Sequence, residues 1–259
     1  MAPDVCAHGG LLMNSSFVQN SLSALHASSK HGLLCTEVDA SLSVDGILMA
    51  IHPRQRSLAA PSGQEIFDQT AHSLSQSSAG VPSLVQYLEH ACDTMDTVVV
   101  DAKVPLAEQW RSPSFVAYSS PDAKMHAHAL GMSIVRALRQ AECGKRALVT
   151  SRSEEVLNVI AHTSPAVALM QVVSTGKEAA RLNATAAGVH WSALSLRAVL
   201  RYKQSAGLLL STHVVNEEHE LWKALQFVED LSFLVSDAPL SLRALVRKEA
   251  AEGGEQGEL

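Results

Sequence analysis

A closed (β/α)8 barrel is the fold class this sequence predicts, and three observations predict it. Short apolar runs alternate with amphipathic helical patterns eight times along the chain. Ionisable residues gather where those runs end, and in such barrels that rim is where active sites form. The 259 residues suit one barrel, and 47% of them are hydrophobic, enough for one large core.

Residues 3–8 read as a strand ending at His8, with Gly9 and Gly10 turning the chain behind it. Phe17, Val18, Leu22 and Leu25, followed by Gly32, mark a helix over 17–31. Residues 33–40 are the second strand. Asp45-Gly46 is a tight turn, and residues 47–51 return as a short strand with His52 at its end. From Pro53 to Gly80 the periodicity is lost in a Ser-, Gln- and Ala-rich stretch. That stretch is read as a small insertion after the second strand, a lid or subdomain. Pro82-Ser83 opens a helix through Leu84, Val85, Leu88 and Ala91. TVVVDAK, residues 97–103, is a strand buried on both faces by its valines. Strands at 146–150, 167–173, 187–191, 207–212 and 232–236 then alternate with helices near 122–142, 153–162, 176–184, 194–205, 217–229 and 239–250. The expected organisation is one domain over 1–250, with the insertion at about 53–80. The Gly- and Glu-rich tail 251–259 is expected to be disordered.

The chemistry centres on residues 35–52. Glu37 and Asp39 are two apart on a strand and so face the same way. Two acids side by side among Leu33, Leu34, Val38 and Ala40 are costly unless a positive charge sits with them. A hard divalent cation, Mg²⁺ or Ca²⁺, suits their oxygen ligands. Asp101 supplies a third acid, with Lys103 two positions on. Three acids can hold one cation with positions left open. His8 and His52 can serve as acid and base near neutral pH, and Lys103 offers a point charge for a phosphate oxygen. The set reads as phosphoryl-ester cleavage at a one-metal site. The plainer reading of Asp101 and Lys103 is that they pair with each other in the barrel mouth. His190, Trp191 and His213 fall at rim positions that can line a pocket. Arg152 follows the fourth main strand, either as a phosphate donor or as an exposed helix-start arginine.

Other classes fit poorly. The net charge is −6, and no basic stripe with interleaved aromatics suggests nucleic acid. No apolar run reaches the ~20 residues of a membrane span, so stable membrane insertion is not expected. Cys6, Cys35, Cys92 and Cys143 form no CxxC pair and read as reduced core residues, which implies a cytoplasmic setting. An organellar setting follows instead if a targeting sequence has been removed. His26, His31, His72, His90, His126, His128, His162 and His219 are expected on helices or loops facing water.

The order of these elements resembles the glycerophosphodiester phosphodiesterase family of (β/α)8 barrels. Its pattern runs His-Arg-Gly, Glu-Asn-Thr, Glu-x-Asp, an Asp-Gly turn, a His, a Pro-Thr/Ser-Leu helix start and acid-x-Lys. Here these read His8-Gly9-Gly10, Gln19-Asn20-Ser21, Glu37-Val38-Asp39, Asp45-Gly46, His52, Pro82-Ser83-Leu84 and Asp101-Ala102-Lys103. GLLLSTHVVN and FLVSDAP resemble the last two strands of the family, so the likeness covers residues 4–240. The AHGG opening and the DAK strand resemble a plant-like branch. The resemblance implies a divalent metal, Mg²⁺ or Ca²⁺, on Glu37, Asp39 and Asp101. It implies His8 and His52 as the acid/base pair, and Lys103 on the phosphate. The implied reaction gives an alcohol and sn-glycerol 3-phosphate from a small-molecule phosphodiester, in lipid and glycerol metabolism.

The chain departs from that pattern in places. Gly9 stands where the family has Arg, Asp101 where Glu is commoner, Pro53 where Asp follows the second His, and His213 near a usual aromatic. Two alternatives follow: a lysophospholipase D-like barrel, and a catalytically weakened barrel that binds a phosphodiester.

Overall fold

Strands such as Val98-Val99-Val100 have no polar face and must be covered on both sides, inside by other strands and outside by helices. The computed structural model describes residues 3–11, 17–53, 66–77, 80–104, 120–173, 186–190, 209–227 and 231–255. Its strands are β1 (Asp4–His8), β2 (Cys35–Leu42), β3 (Leu48–Ala50), β4 (Thr97–Ala102), β5 (Ala147–Ser151), β6 (Ala168–Val173), β7 (Ala186–His190), β8 (Leu209–His213) and β9 (Leu231–Ser236). They lie in the order β1-β9-β8-β7-β6-β5-β4-β2-β3, and β1 also pairs with β2. That last pairing closes eight parallel strands into a ring, the expected barrel. β3 is antiparallel and extends β2 outward, Ala40 opposite Ala50, which sets His52 just beyond the rim.

The helices are α1 (Leu22–Lys30), α2 (Ala71–Ser75), α3 (Leu84–Thr94), α4 (Ser120–Gln140), α5 (Glu154–Thr163), α6 (Glu218–Leu225) and α7 (Pro239–Glu255). Ser83 caps α3 in a reciprocal box with Gln86, which explains why Pro82-Ser83 starts a helix so sharply. The largest apolar cluster lies outside β2, β4 and β5. It joins Val38, Ala40, Val98, Val100 and Val149 to Leu84 and Leu88 of α3, Leu130 and Ile134 of α4, and Leu157 and Ile160 of α5. A second cluster of Cys6, Cys35, Val99, Leu148, Met170, Phe233 and Val235 fills the inside of the ring. These are alternate residues of the same strands, so inside and outside are sorted by the two-residue period.

Three expectations change and one gains detail. The aperiodic stretch 53–80 contains a 3-10 turn at Ile66–Asp68 and the short α2. Ile66 and Leu74 there pack on Met49, Ile51 and Val81. Elements this short show too few turns to register as a period. The last helix runs to Glu255, past the expected boundary at 250. His126 is buried against Phe67, its water-facing expectation overturned by the insertion folding over α4. Cys6 is bonded to Cys35 and Cys92 to Cys143. They are not free thiols, because β1 and β2 place Cys6 and Cys35 in register across 29 residues of sequence. The helices expected at 176–184 and 194–205, together with Trp191, lie outside the described residues.

Thiol titration of the unfolded, unreduced protein tests the cysteine pairing. No reactive thiol per chain is the expected result. Four would restore the reduced cysteines read from the sequence.

Candidate active site

Carboxylates inside a barrel need partners, and the geometry supplies them residue by residue. Glu37 and Asp39 are 4% and 0% exposed, both inside the fold. Register sets Glu37 beside His8 of β1, and Asp39 beside Asp101 of β4. One oxygen from each of Glu37, Asp39 and Asp101 lies within 4.8 Å of the others, the geometry of a single-cation site. Lys103 Nζ sits 2.9 Å from Asp39 Oδ1 and also touches Asp101. Among the described residues that ammonium is all that faces the buried Asp39 Oδ1, an acceptor that a divalent cation can share.

Charge asymmetry points the same way. Burial, then Asp39, pushes the Glu37 carboxyl up to about 8, against the opposing pull of His8 and Lys103. Burial also opposes ionising Asp39, but Lys103, His52 and Asn20 hold its carboxyl below the usual range. One acid is therefore charged and its neighbour resists charging. A divalent ion relieves that conflict, and these residues fit one.

The expected histidines converge on the same cavity, which has a volume of about 280 Å³. His8, Glu37, His52, Asp101, Lys103 and Arg152 line it, and so does His213. His190, at the end of β7, is in register with His213. The paired Asp101 and Lys103 match the plainer sequence reading, although Lys103 also reaches Asp39. The two histidines shift in opposite senses. Burial lowers the His8 imidazole, but Glu37, Asp237 and Asp39 outweigh it and raise the group to about 9. Burial lowers His52, with Lys103 and His8 adding to it, and Asp39 and Asp101 only partly oppose the shift. In the metal-free protein near neutral pH, His8 thus holds a proton that His52 lacks.

Three positioning residues fall within the motifs of the family pattern, Asn20 in Gln19-Asn20-Ser21, Asn216 in GLLLSTHVVN and Asp237 in FLVSDAP, but the sequence assigned them no role. Asp237 Oδ1 lies 2.6 Å from His8 Nδ1. Asn216 Nδ2 donates to Asp237 Oδ2 at 2.7 Å, and Asn216 Oδ1 accepts from the Asp237 N–H at 2.8 Å. With Nδ1 engaged, His8 turns Nε2 toward Glu37, 4.0 Å away. Asn20, 1% exposed, clamps Asp39 from two sides. Its Nδ2 donates to Asp39 Oδ2 at 2.8 Å, and its Oδ1 accepts from the Asp39 N–H at 3.0 Å. Asn20 has φ +64°, a left-handed geometry that Asn tolerates better than most residues. Ser21, next to it, caps α1, so the helix begins at Leu22 and not at 17 as the sequence suggests. Gly9 donates its N–H to Glu37 Oε2 at 3.0 Å. It has φ +64°, and a Cβ there would overlap Gln19 Cγ at 2.0 Å, so a side chain has no room.

A barrel with three acids, two histidines and a lysine around one rim cavity has the outline of a phosphoryl-ester-cleaving enzyme. The model of the glycerophosphoryl diester phosphodiesterase family matches residues 8–236, and the chain belongs to that family of phosphoric diester hydrolases. Comparison with curated protein sequences finds no match. Among solved structures, a glycerophosphodiester phosphodiesterase from Parabacteroides distasonis has a TM-score of 0.77 at 18% identity, covering 96% of this chain and 98% of its own. A phosphodiesterase from Oleispira antarctica, in complex with the product sn-glycerol-3-phosphate, has a TM-score of 0.76 at 20% identity, covering 95% and 97%. A glycerophosphodiester phosphodiesterase from Thermotoga maritima has a TM-score of 0.67 at 15% identity, covering 95% and 98%. At these identities the likeness is one of fold.

Two outcomes follow. Replacing Asn20 with Ala strands two buried groups of Asp39 and forces a strained backbone, so unfolding by urea should show a loss of about 2–4 kcal/mol. The metal-free protein should also lose stability as pH rises from 6.5 to about 9. Over that range folded His8 and Glu37, raised to about 9 and about 8, keep protons that the unfolded chain has released. Below 6.5 the lowered His52 and His126 counter this trend, so the fall starts there. Thermal melts across pH, with and without Mg²⁺ or Ca²⁺, check it, and the cation should remove the Glu37 share.

Proposed function

We propose that this protein hydrolyses glycerophosphodiesters in a divalent-cation-dependent reaction, giving an alcohol and sn-glycerol 3-phosphate in glycerophospholipid catabolism. The observation that carries the reading is the joining of three close carboxylate oxygens with His8 and His52 in one cavity of a chain of this family. The relative from Oleispira antarctica, which holds sn-glycerol-3-phosphate, supports that product for this chain too.

Glu37, Asp39 and Asp101 would hold the cation, Mg²⁺ or Ca²⁺, which supplies Lewis acidity at a phosphoryl oxygen. Everything else falls to the chain. The cavity brings the diester between the two histidines. One takes the proton of the attacking hydroxyl, from water or from the substrate's own glycerol. The other gives a proton to the departing alkoxide as its bond to phosphorus breaks. The opposite shifts of His52 and His8 suit those two tasks. Asp237 fixes the His8 ring by its Nδ1 contact. Lys103 and Arg152 are the proposed phosphate contacts. His213, which lines the cavity, and His190, in register with it, are further proposed substrate contacts.

Residues 1–250 are read as one barrel domain with its insertion at 53–80. A lysolipid substrate would need an apolar mouth, whereas Ile66, Phe67 and Leu74 of the insertion are buried in their own packing. No helix among the described residues is long and apolar enough to cross a membrane. The two disulfides favour an oxidising compartment over the cytoplasmic setting that reduced cysteines would imply.

Turnover of glycerophosphocholine with added Mg²⁺ or Ca²⁺ tests the proposal. Activity should disappear with a chelator, return with the cation, and fall about 10²- to 10⁴-fold in His52→Ala. Turnover of lysolipids alone would select the lysophospholipase D-like reading. Phosphodiester binding without turnover would select the weakened barrel.

A further inference from the structure

Thr150 lies on β5 in register with Asp101, so a metal-site carboxylate and a threonine stand side by side on neighbouring strands. The threonine is 3% exposed and lines the cavity, and its hydroxyl has no hydrogen-bond partner among the described residues. Buried hydroxyls in folded proteins are paired, and one left without a protein partner at the wall of a cavity is placed for a ligand. Other buried oxygens without partners, on Gln171 and Thr212, do not line the cavity. Two residues on, Arg152 also lines it, on the same side of the strand.

The charges decide which ligand chemistry fits. Lys103 is engaged by Asp39 and Asp101. Gly9 brings only a backbone N–H, which Glu37 already takes. Among the described residues, Arg152 is thus the arginine or lysine of the cavity that no carboxylate engages. A neutral hydroxyl donor with a guanidinium above it suits an oxyanion. We propose that Thr150 and Arg152 form a phosphate-oxygen subsite at the end of β5, beside Asp101 of the carboxylate trio, with Thr150 as a positioning and affinity residue of the ligand. The subsite rests on the diesterase reading for its biological substrate. Its test does not depend on turnover.

Inorganic phosphate and sn-glycerol 3-phosphate are titrated calorimetrically into the cation-loaded protein. Thr150→Val should weaken both by about tenfold, Thr150→Ser should restore affinity, and Arg152→Gln should weaken both by roughly 10- to 100-fold. The discriminating readout is the melting temperature without ligand. Thr150→Val removes an unpaired buried hydroxyl, so it should melt at or above wild type while binding phosphate less well. A purely structural threonine would lose stability instead, and that result overturns the assignment. So does unchanged phosphate affinity in Thr150→Val and Arg152→Gln, or no phosphate binding by the wild type. Weakened phosphate binding in a protein that turns over no diester would sink the substrate while leaving the subsite standing.

Discussion

Two carboxylates buried side by side govern this molecule. Glu37 and Asp39 cannot both be charged in a dry barrel without compensation, and neither can move away, because both are fixed on a fully buried strand. Much of what surrounds them answers that constraint. Lys103 reaches back to Asp39 and Asp101, the Gly9 N–H points at Glu37, and Asn20 grips Asp39. Even so, the Glu37 carboxyl stays high, and among the described residues only the Lys103 ammonium faces Asp39 Oδ1. The site is built with a deficit of positive charge, and a cation-dependent hydrolase can draw on such a deficit.

The same economy of parts holds the histidines. His52 is carried by a short antiparallel strand that leaves the ring, so its position follows from the β2–β3 turn. His8 depends on long-range pairing instead, through Asp237 and then Asn216. One histidine is thus set by local geometry and the other by closure of the whole ring. Their environments differ accordingly, and that difference separates their protonation.

Much of this was legible in the sequence because it is periodic or local. Valine runs such as 98–100 gave the strands, and Pro82-Ser83 gave a helix start. Glu37-x-Asp39 announced a shared face. What escaped is what only register creates. Nothing near Cys6 points to Cys35 until β1 and β2 lie side by side. Asn216, Asp237 and His8 are far apart in the chain, so their network carries no spacing signature. His126 looked solvated because the packing that covers it comes from Phe67 in the insertion. Thr150, one residue of an ordinary apolar strand, gains meaning only from the cavity beside it.

The His8–Asp237 contact spans 229 positions, from the first strand to just past the last. A ribosome making this chain releases His8 well before Asp237. The His8–Asp237 pair therefore cannot form on a nascent fragment that stops short of Asp237, however much of the barrel has already formed. Positioning of His8 becomes a property of the closed ring, and formation of the pair reports that its first and last strands are both in place.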